Sequence, residues 1–484
     1  MCDGAPRDHN RIAPRTIAIT IPPTTHASRR VPPRASSRSR TVERTMMSFT
    51  GLYSAARNSR LSEQDHSQAP ASSERGPMTL EIRSCRPDEF RTFLETCEAA
   101  FGYGVNEHML ERLQAVITTD RMFAAFDEDV MVATLGAFPF TLTVPGGEAS
   151  AGGVTMAGVL PSHRRRGLLS ELIKTQLLDA RSSEEPVAVL WASESSIYGR
   201  FGYGVATRQC EMNIEQDRAV FDTRLRPTGR TRLVDHDEAF KVLPEIYERV
   251  RRKTPGMYAR SQAWWQSYTL ADPEDERHGG GPMFRAVWET EGRAEAYVLY
   301  RLHGSWEDGM PAGSVEVKEA LGTSPEATRE IWRFVFGIDL VARVRSHFLP
   351  VHHPLFHMLA EPRRLRLSVK DGLYLRLVDL PAALAARSYP IDGSLTIEMN
   401  DPLCRWNEGR WRVEVRDGRA NVGRTTTPAE LSMTATELGA VYLGGVSFVE
   451  LAQAGRVREL TPGASLRSSL MFSAEVPPWC PEIF

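Results

Sequence analysis

Cysteine is sparse in this chain. Its six cysteines in 484 residues, Cys2, Cys85, Cys97, Cys210, Cys404 and Cys480, form no CxxC pair and no dense cluster. Neither a disulfide framework nor a zinc site is indicated, and a reducing cytoplasm is the expected compartment. Long apolar runs are also lacking. None approaches the ~20 residues of a membrane span, and residues 16–22 are too short for a secretory core. Nor is there an excess of one charge: 59 Lys and Arg against 61 acidic residues give a net charge of -2, which argues against a polyanion binder and a nucleic-acid role. The histidines offer no metal site. His353 and His357 are four apart, but Pro354 lies between them and no third ligand accompanies them.

The lack of lysine is local. Residues 1–77 contain 12 Arg, no Lys and six acidic residues, a net of +6, which leaves -8 on the other 407 residues. This leader is rich in Arg, Ser and Pro, poor in large apolar residues and without periodicity, so it is expected to be disordered. An organellar transit peptide has a similar composition. Met46, Met47 and Met78 are alternative starts, and Met78 immediately precedes the first apolar strand pattern.

The rest has the composition of a soluble globular protein, with 42% hydrophobic and 25% charged residues overall. Its length suggests about three domains at ~150 residues each. Residues 80–82 alternate, and helical patterns follow over 87–100 and 106–117. Residues 122–126 and 130–138, separated by Asp127-Glu128-Asp129, read as a hairpin, and 140–144 lead to the turn Pro145-Gly146-Gly147. A strand over 153–160 runs into Pro161-Ser162-His163-Arg164-Arg165-Arg166-Gly167-Leu168-Leu169. Leu168, Leu169, Leu172, Ile173 and Leu177 then recur with helical spacing, and residues 187–192 read as a buried strand.

The middle third repeats this grammar. Residues 283–288 and 294–301 form a hairpin pattern about Glu291-Gly292, 314–321 read as a strand, and a helix follows with Ser324 as N-cap, Pro325 in its first turn and Gly337 as its stop. The junction Gly322-Thr323-Ser324-Pro325 lacks the arginines and glycine spacing of residues 164–167. In the last hundred residues Leu395, Ile397 and Met399 alternate, as do Trp411, Val413 and Val415, with Asp417-Gly418 as a turn. Short helical patterns follow at 436–443 and 446–454, and the chain ends on the apolar Glu482-Ile483-Phe484.

Two stretches carry chemistry. At the strand-to-helix junction of residues 164–169 several backbone N–H groups can face one anion, the helix N-terminus adds about half a positive charge, and guanidiniums can reach further phosphates. A pyrophosphate suits that turn. About 30 residues later comes Ala192-Ser193-Glu194, followed by Ile197-Tyr198-Gly199-Arg200-Phe201-Gly202-Tyr203-Gly204. Together with His163-Arg164-Arg165-Arg166-Gly167-Leu168-Leu169, this resembles the GNAT acyl-CoA-dependent N-acetyltransferases, and more closely the enhanced intracellular survival (Eis) family of aminoglycoside and protein-lysine acetyltransferases. Shorter echoes at residues 246–249, 371–376, 381–384 and 442–444, and the terminal Phe484, extend the resemblance from about residue 79 to the end. Leu169 stands where many GNAT turns carry Gly or Ala, which the Eis-like pattern accepts.

The resemblance implies an α+β architecture: two GNAT-like domains, each a mixed β-sheet flanked by helices, then a sterol-carrier-protein-like α+β domain. The expected divisions are a leader over 1–77, a catalytic GNAT domain over 78–212, a second GNAT-like domain without a phosphate loop over 213–380 and the last domain over 381–484. It further implies acetyl-CoA as donor and no metal. Ala157 and Val159 would meet the pantetheine, Arg164, Arg165, Gly167 and Leu168 the pyrophosphate, and Ser193 the acyl-CoA. Tyr198 matches the general acid and the carboxylate of Phe484 the general base. The acceptor would be a cationic amine or a lysine-bearing protein, and the assembly a homohexamer. The region of Cys97 and Phe101-Gly102-Tyr103, where the acceptor pocket should open, is too divergent to map.

The residues also admit other readings. Tyr198 fits as a packing residue of an aromatic, glycine-rich loop, His163 as a loop or capping residue, and Phe484 as an apolar plug. The alternative of a different class is a non-catalytic protein that senses acyl-CoA in its first domain and holds an apolar ligand in its last.

Overall fold

The computed structural model describes residues 17–20, 79–222 and 228–484. The leader expected over residues 1–77 lies outside the described residues, apart from the strand Ile17–Thr20, which pairs antiparallel with Thr79–Ser84 at one edge of the first sheet.

That sheet has eight strands, in the order Ile17–Thr20, Thr79–Ser84, Met122–Asp127, Val130–Val144, Gly147–Val159, Val187–Trp191, Leu373–Leu377 and Gly204–Val205. Its acidic hairpin forms as the pattern predicts: Asp127 pairs with Val130, and Glu128 takes the positive φ of 56° that a two-residue primed turn needs. Pro139 sits inside the strand Val130–Val144 without breaking a ladder. On one side Met122–Asp127 reaches only to Gly136, and beyond Pro139 the same edge is taken up by the segment around Met257, with Thr143 N–H to Met257 O at 2.8 Å and Ala259 N–H to Thr141 O at 2.9 Å. The missing N–H falls in the gap between them.

The first and second sheets share the chain rather than divide it. After Gly204–Val205 the backbone steps across and runs on as Arg208–Glu215 in the second sheet. It returns the same way, from Ser368–Asp371 in the second sheet to Leu373–Leu377 in the first. The two crossings clasp each other: Gly372 N–H donates to Thr207 O at 3.0 Å, Leu373 N–H to Thr207 Oγ1 at 2.8 Å and Ala206 N–H to Leu373 O at 2.9 Å. A boundary between 212 and 213 therefore cuts through Arg208–Glu215. Likewise Leu373–Leu377, buried at all five positions, lies in the first sheet although it precedes residue 380.

The second sheet has seven strands, in the order Ser368–Asp371, Arg208–Glu215, Arg343–Pro350, Ser314–Gly322, Arg293–His303, Phe284–Thr290 and Arg230–Leu233. Its helix Pro325–Phe336 begins and ends where the capping residues predict, with Ser324 Oγ accepting from Ala327 N–H. The third sheet has five strands built around Gly393–Asn400 and Gly409–Arg416, and the expected helices appear as Ala435–Val441 and Phe448–Gln453. The helix Ala464–Phe472 is not evident in the sequence pattern. It buries Ser465 and Ser468 and leaves Leu466 and Leu470 60% and 53% exposed, so its apolar residues do not mark its inner face. No described helix is long and apolar enough to cross a membrane.

One ion pair joins the first sheet to the third domain. Arg376, on Leu373–Leu377, donates from Nη2 to both oxygens of Asp401 at 2.6 and 2.7 Å and from Nη1 to the carbonyl of Phe201. Both side chains are almost completely buried, and Asp401 also accepts from Cys404 N–H and Asn407 Nδ2. Removing one member strands a charge in a dry core, so Arg376→Ala is expected to destabilise the protein by about 3–5 kcal/mol. Replacing both partners by leucine should recover part of that loss. Urea unfolding midpoints of the single and double variants check the expectation, and equal midpoints for wild type and Arg376→Ala would refute it.

Candidate active site

The site grows from a strand pair that separates. Gly147–Val159 and Val187–Trp191 run parallel and pair from Ala151–Val187 to Val154–Leu190, and the ladder ends there. Immediately beyond, Gly147–Val159 bulges against its antiparallel neighbour: the register steps from Gly136–Thr155 to Thr134–Gly158, and Met156 adopts φ 49°. Thr134 Oγ1 donates to Met156 O at 2.9 Å and holds the bulge. Leu160 N–H donates to Val132 O at 3.0 Å, which sets the phase of this ladder. Backbone groups of Gly158 and Leu160 thus face the neighbouring strand, whereas those of Ala157 and Val159 face the widening gap. A parallel sheet that opens like this leaves unpaired N–H and C=O groups that an extended amide chain can join.

The basic turn closes one end of the gap. Arg165 takes φ 64° and Gly167 φ 83°, after which the helix Leu168–Ser182 begins with no side-chain cap on its first amides. A Cβ added at Gly167 meets no protein atom within 4 Å, so this glycine serves backbone conformation and an open approach rather than packing. Leu168 buries its side chain in the core, and what it can offer a ligand is its N–H at the helix start. Arg165 is exposed at the turn. Arg164, exposed as well, folds its guanidinium back on the protein, donating from Nε to Val159 O at 3.1 Å and from Nη2 to Ala100 O at 2.6 Å, and so ties the opened strand to the end of the helix Phe90–Phe101. His163 bridges Ser162 Oγ at 2.9 Å and Asp127 Oδ2 at 3.0 Å, fastening the turn to the hairpin.

Tyr198 ends the short helix Ser195–Tyr198 that follows Val187–Trp191. Its side chain is buried, with its ring edge-on to Tyr203 at 6.3 Å. Burial pushes its phenol up to about 12, opposed by a hydrogen bond with Ser193, while the nearby Cys97 thiol and Glu194 carboxylate add to the rise. The structure thus brings Ser193 and Tyr198 together, as it does Val159 and Arg164. The glycines after Tyr198 answer to packing: Gly202 has φ 83° and lies against the Arg376 guanidinium, and Gly204 lies against the helix Ala435–Val441. Thr436 Oγ1 also donates to Gly199 O at 2.8 Å.

Phe484 arrives from the opposite face of the sheet. Its ring meets Phe140 at 4.8 Å, Tyr258 at 5.6 Å and Phe138 at 6.5 Å, and Phe138 pairs with Gly153, one residue before the parallel ladder ends. Tyr198 and Phe484 belong to different core clusters on the two faces of the first sheet. Sequence reasoning missed the aromatic surroundings of Phe484, because Phe138 and Phe140 lie far along the chain from Tyr258 and from the terminus.

The equivalent place in the second sheet is filled. Ser314–Gly322 and Arg343–Pro350 pair in parallel only to Val317–Ser346, and a bulge again follows, at Lys318. There Ser324 caps the helix, Pro325 has no N–H to offer, the Thr323 hydroxyl binds Glu295, and a Cβ at Gly322 would strike Thr328 N. The junction has no free cradle for an anion. His353 is a core residue whose Nδ1 accepts from Leu355 N–H at 3.1 Å, and burial lowers its pKa to about 4. Among the described residues no group of three or more His, Cys, Asp or Glu is arranged to hold a metal ion.

Comparison with known proteins matches these features to families. Acetyltransferase (GNAT) domains match residues 81–206 and 256–377, and a sterol carrier protein domain matches residues 380–481. An N-acetyltransferase of Streptomyces avermitilis, itself uncharacterised, is 39% identical over 417 residues, spanning 84% of this chain and 100% of its own length. N-acetyltransferase Eis of Mycobacterium tuberculosis is 33% identical over 345 residues, 69% of this chain and 81% of that protein. The chain belongs to the Eis-like GNAT N-acetyltransferases. The crystal structure of Eis1 from Mycobacterium abscessus superposes with a TM-score of 0.73 at 31% identity, over 83% of this chain and all of that one. The Eis-like enzyme is therefore an acetyltransferase with two GNAT domains and a sterol-carrier-like domain, and GNAT domains use acetyl-CoA.

For this Eis-like enzyme, Gly167→Ala is expected to weaken acetyl-CoA binding about tenfold or more. An L-residue at φ 83° costs about 1–2 kcal/mol, and its methyl would project into the open approach of the turn. Titration calorimetry measures the effect, with a melting temperature within a few degrees of wild type as the control. Unchanged affinity would remove the glycine from the phosphate cradle.

Proposed function

We propose that this enzyme transfers the acetyl group of acetyl-CoA directly to a primary amine of a polycationic acceptor, an aminoglycoside, a polyamine or a lysine side chain. Ala157 and Val159 receive the pantetheine in the opened strand, and the turn of Arg164, Arg165, Gly167 and Leu168 receives the pyrophosphate. Arg164 contributes by fixing the turn, since its guanidinium is taken up by Val159 and Ala100. Ser193 holds the acyl-CoA side of the site together with Tyr198. The net -8 of the chain beyond residue 77 favours cationic acceptors. We further assign the protein to the cytoplasm as a homohexamer, by likeness to its family.

Amide formation from a thioester requires a neutral amine, polarisation of the carbonyl and stabilisation of the departing thiolate. The N–H of Val159, facing the gap, serves as the oxyanion donor. Tyr198 serves the thiolate, and the buried phenol beside Ser193 is the observation that carries this reading. At about 12 it stays protonated at neutral pH, but complete proton transfer to a thiolate of reference pKa ~8.5 is uphill. Tyr198 therefore acts as a hydrogen-bond donor that shares its proton with the sulfur as charge develops. The terminal carboxylate of Phe484 takes the proton of the attacking amine. A carboxylate of reference pKa ~3.5 is a weak base for an ammonium near ~10, so the step calls for apolar surroundings. The rings of Phe138, Phe140 and Tyr258, packed against the Phe484 ring, bring apolar surface to this end of the chain.

Free-thiol release from acetyl-CoA with a panel of aminoglycosides and polyamines, with mass-spectrometric acetyl counts, tests the assignment. Tyr198→Phe is expected to lower kcat by about 10²–10⁴-fold. Normal turnover by that variant would remove the acid, and acetyl-CoA binding without turnover on any amine would favour a sensor.

A further inference from the structure

The last six residues are held at defined points. Trp479 N–H donates to Pro255 O at 2.8 Å, and Cys480 Sγ lies 3.4 Å from Glu482 O. Then three donors from one segment of the second GNAT domain converge on a single oxygen. Glu482 Oε2 accepts from Tyr258 Oη at 2.9 Å and Trp264 Nε1 at 2.9 Å, and pairs with Arg260 Nη2 at 3.0 Å. Arg260 is almost wholly enclosed. It is bound at both ends to Glu319, with contacts of 3.0 and 2.6 Å, and lies 4.0 Å over the Tyr247 ring and 5.0 Å over the Trp265 ring.

We propose that Glu482 is a positioning residue for the terminal carboxylate, and that the second GNAT domain acts on the reaction through it. The inference rests on the reading of the Phe484 carboxylate as base. Two residues of extended chain span at most about 7 Å, so a fixed Glu482 confines the end of the chain to that radius. Within it the Phe484 ring stands edge-on against the stacked rings of Phe140 and Tyr258, and Tyr258 also holds Glu482 through its hydroxyl. Tyr258 thus fixes both Glu482, two residues before the end, and Phe484 itself. Arg260 does not need Glu482 for neutralisation, because Glu319 already gives it a two-pronged carboxylate partner. Glu482 also balances the buried Lys318 ammonium, so the charges of the second domain hold the tail at this point.

The test uses the full chain in four forms: wild type, Glu482→Gln, wild type with two residues appended after Phe484, and the combination. Glutamine keeps the shape and can still accept from Tyr258 or Trp264, and Arg260 keeps Glu319, so the fold should survive. With acetyl-CoA and spermine as substrates, Glu482→Gln is expected to lower kcat about 10- to 100-fold while the KM for acetyl-CoA stays within about twofold. On the extended terminus the same substitution is expected to cost nothing further, since both changes act on one group. Losses that multiply in full, or an unchanged kcat for Glu482→Gln alongside a damaging extension, would overturn the positioning role and leave the terminal base standing. An extension without effect would instead overturn the terminal base itself, and the positioning role with it.

Discussion

Arg376 cannot sit at the centre of this protein without Asp401. A guanidinium removed from water costs several kcal/mol unless its donors are met and its charge is paired. Here the pair spans two domains: the arginine is on a strand of the first sheet, the carboxylate is in the sterol-carrier-like domain, and a third contact goes to the carbonyl of Phe201, three residues after Tyr198. Gly202 must lack a side chain for the guanidinium to reach that carbonyl. The loop that carries Tyr198 therefore takes its shape from a residue far along the chain and from the sterol-carrier-like domain.

The second GNAT domain repeats the same physical problem with a different solution. Both sheets part after a short parallel ladder and both bulge at the parting. In the first, the groups at the bulge face an opening that leads to an uncapped helix. In the second, Lys318 reaches back to the carbonyls of Tyr268 and Thr269 at 3.0 Å each, and the neighbouring Glu319 holds Arg260 and the Tyr297 hydroxyl. Side chains of the protein occupy what ligand contacts occupy elsewhere. Where the first sheet opens, the second presents a wall of mutually bonded side chains, and a rigid wall is what a chain terminus needs if it is to hold one place.

Much of this was legible in the sequence, for identifiable reasons. The hairpin at Asp127, the helix after Gly167 and the helix capped by Ser324 follow from local rules of turn and cap chemistry, and each lies where those rules put it. The missing phosphate loop at residues 322–325 was legible as well, because a proline and a serine cap are local facts. The strand exchange was not. Leu373–Leu377 has the same apolar pattern whichever sheet receives it, and only the meeting of Thr207 with Gly372 decides the matter. The glycine motif after Tyr198 misled in a useful way. It reads as part of a site motif, yet Gly202 and Gly204 are small because Arg376 and the helix Ala435–Val441 press against them. Arg164 shows the same limit: its position in the basic turn was plain, its two carbonyl partners were not.

These couplings bear on what the smallest active unit can be. Cutting the chain at the end of the first GNAT match, near residue 206, would leave its sheet without Leu373–Leu377, the partner of both Val187–Trp191 and Gly204–Val205. It would expose the edge of Val187–Trp191, the strand that leads directly into Tyr198, as unpaired backbone in an otherwise buried sheet. It would also remove the Asp401 contact that shapes the tyrosine loop and the terminal residue that enters from the far side. The Tyr198 loop and the chain terminus thus depend on different distant domains, the loop on the third through Arg376 and Thr436, the terminus on the second through Tyr258 and Arg260. A substitution that loosens either support should act on turnover before it acts on acetyl-CoA binding, because the turn at residues 164–168 is held from within the first GNAT domain, by Val159, Ala100 and Asp127, and by neither support.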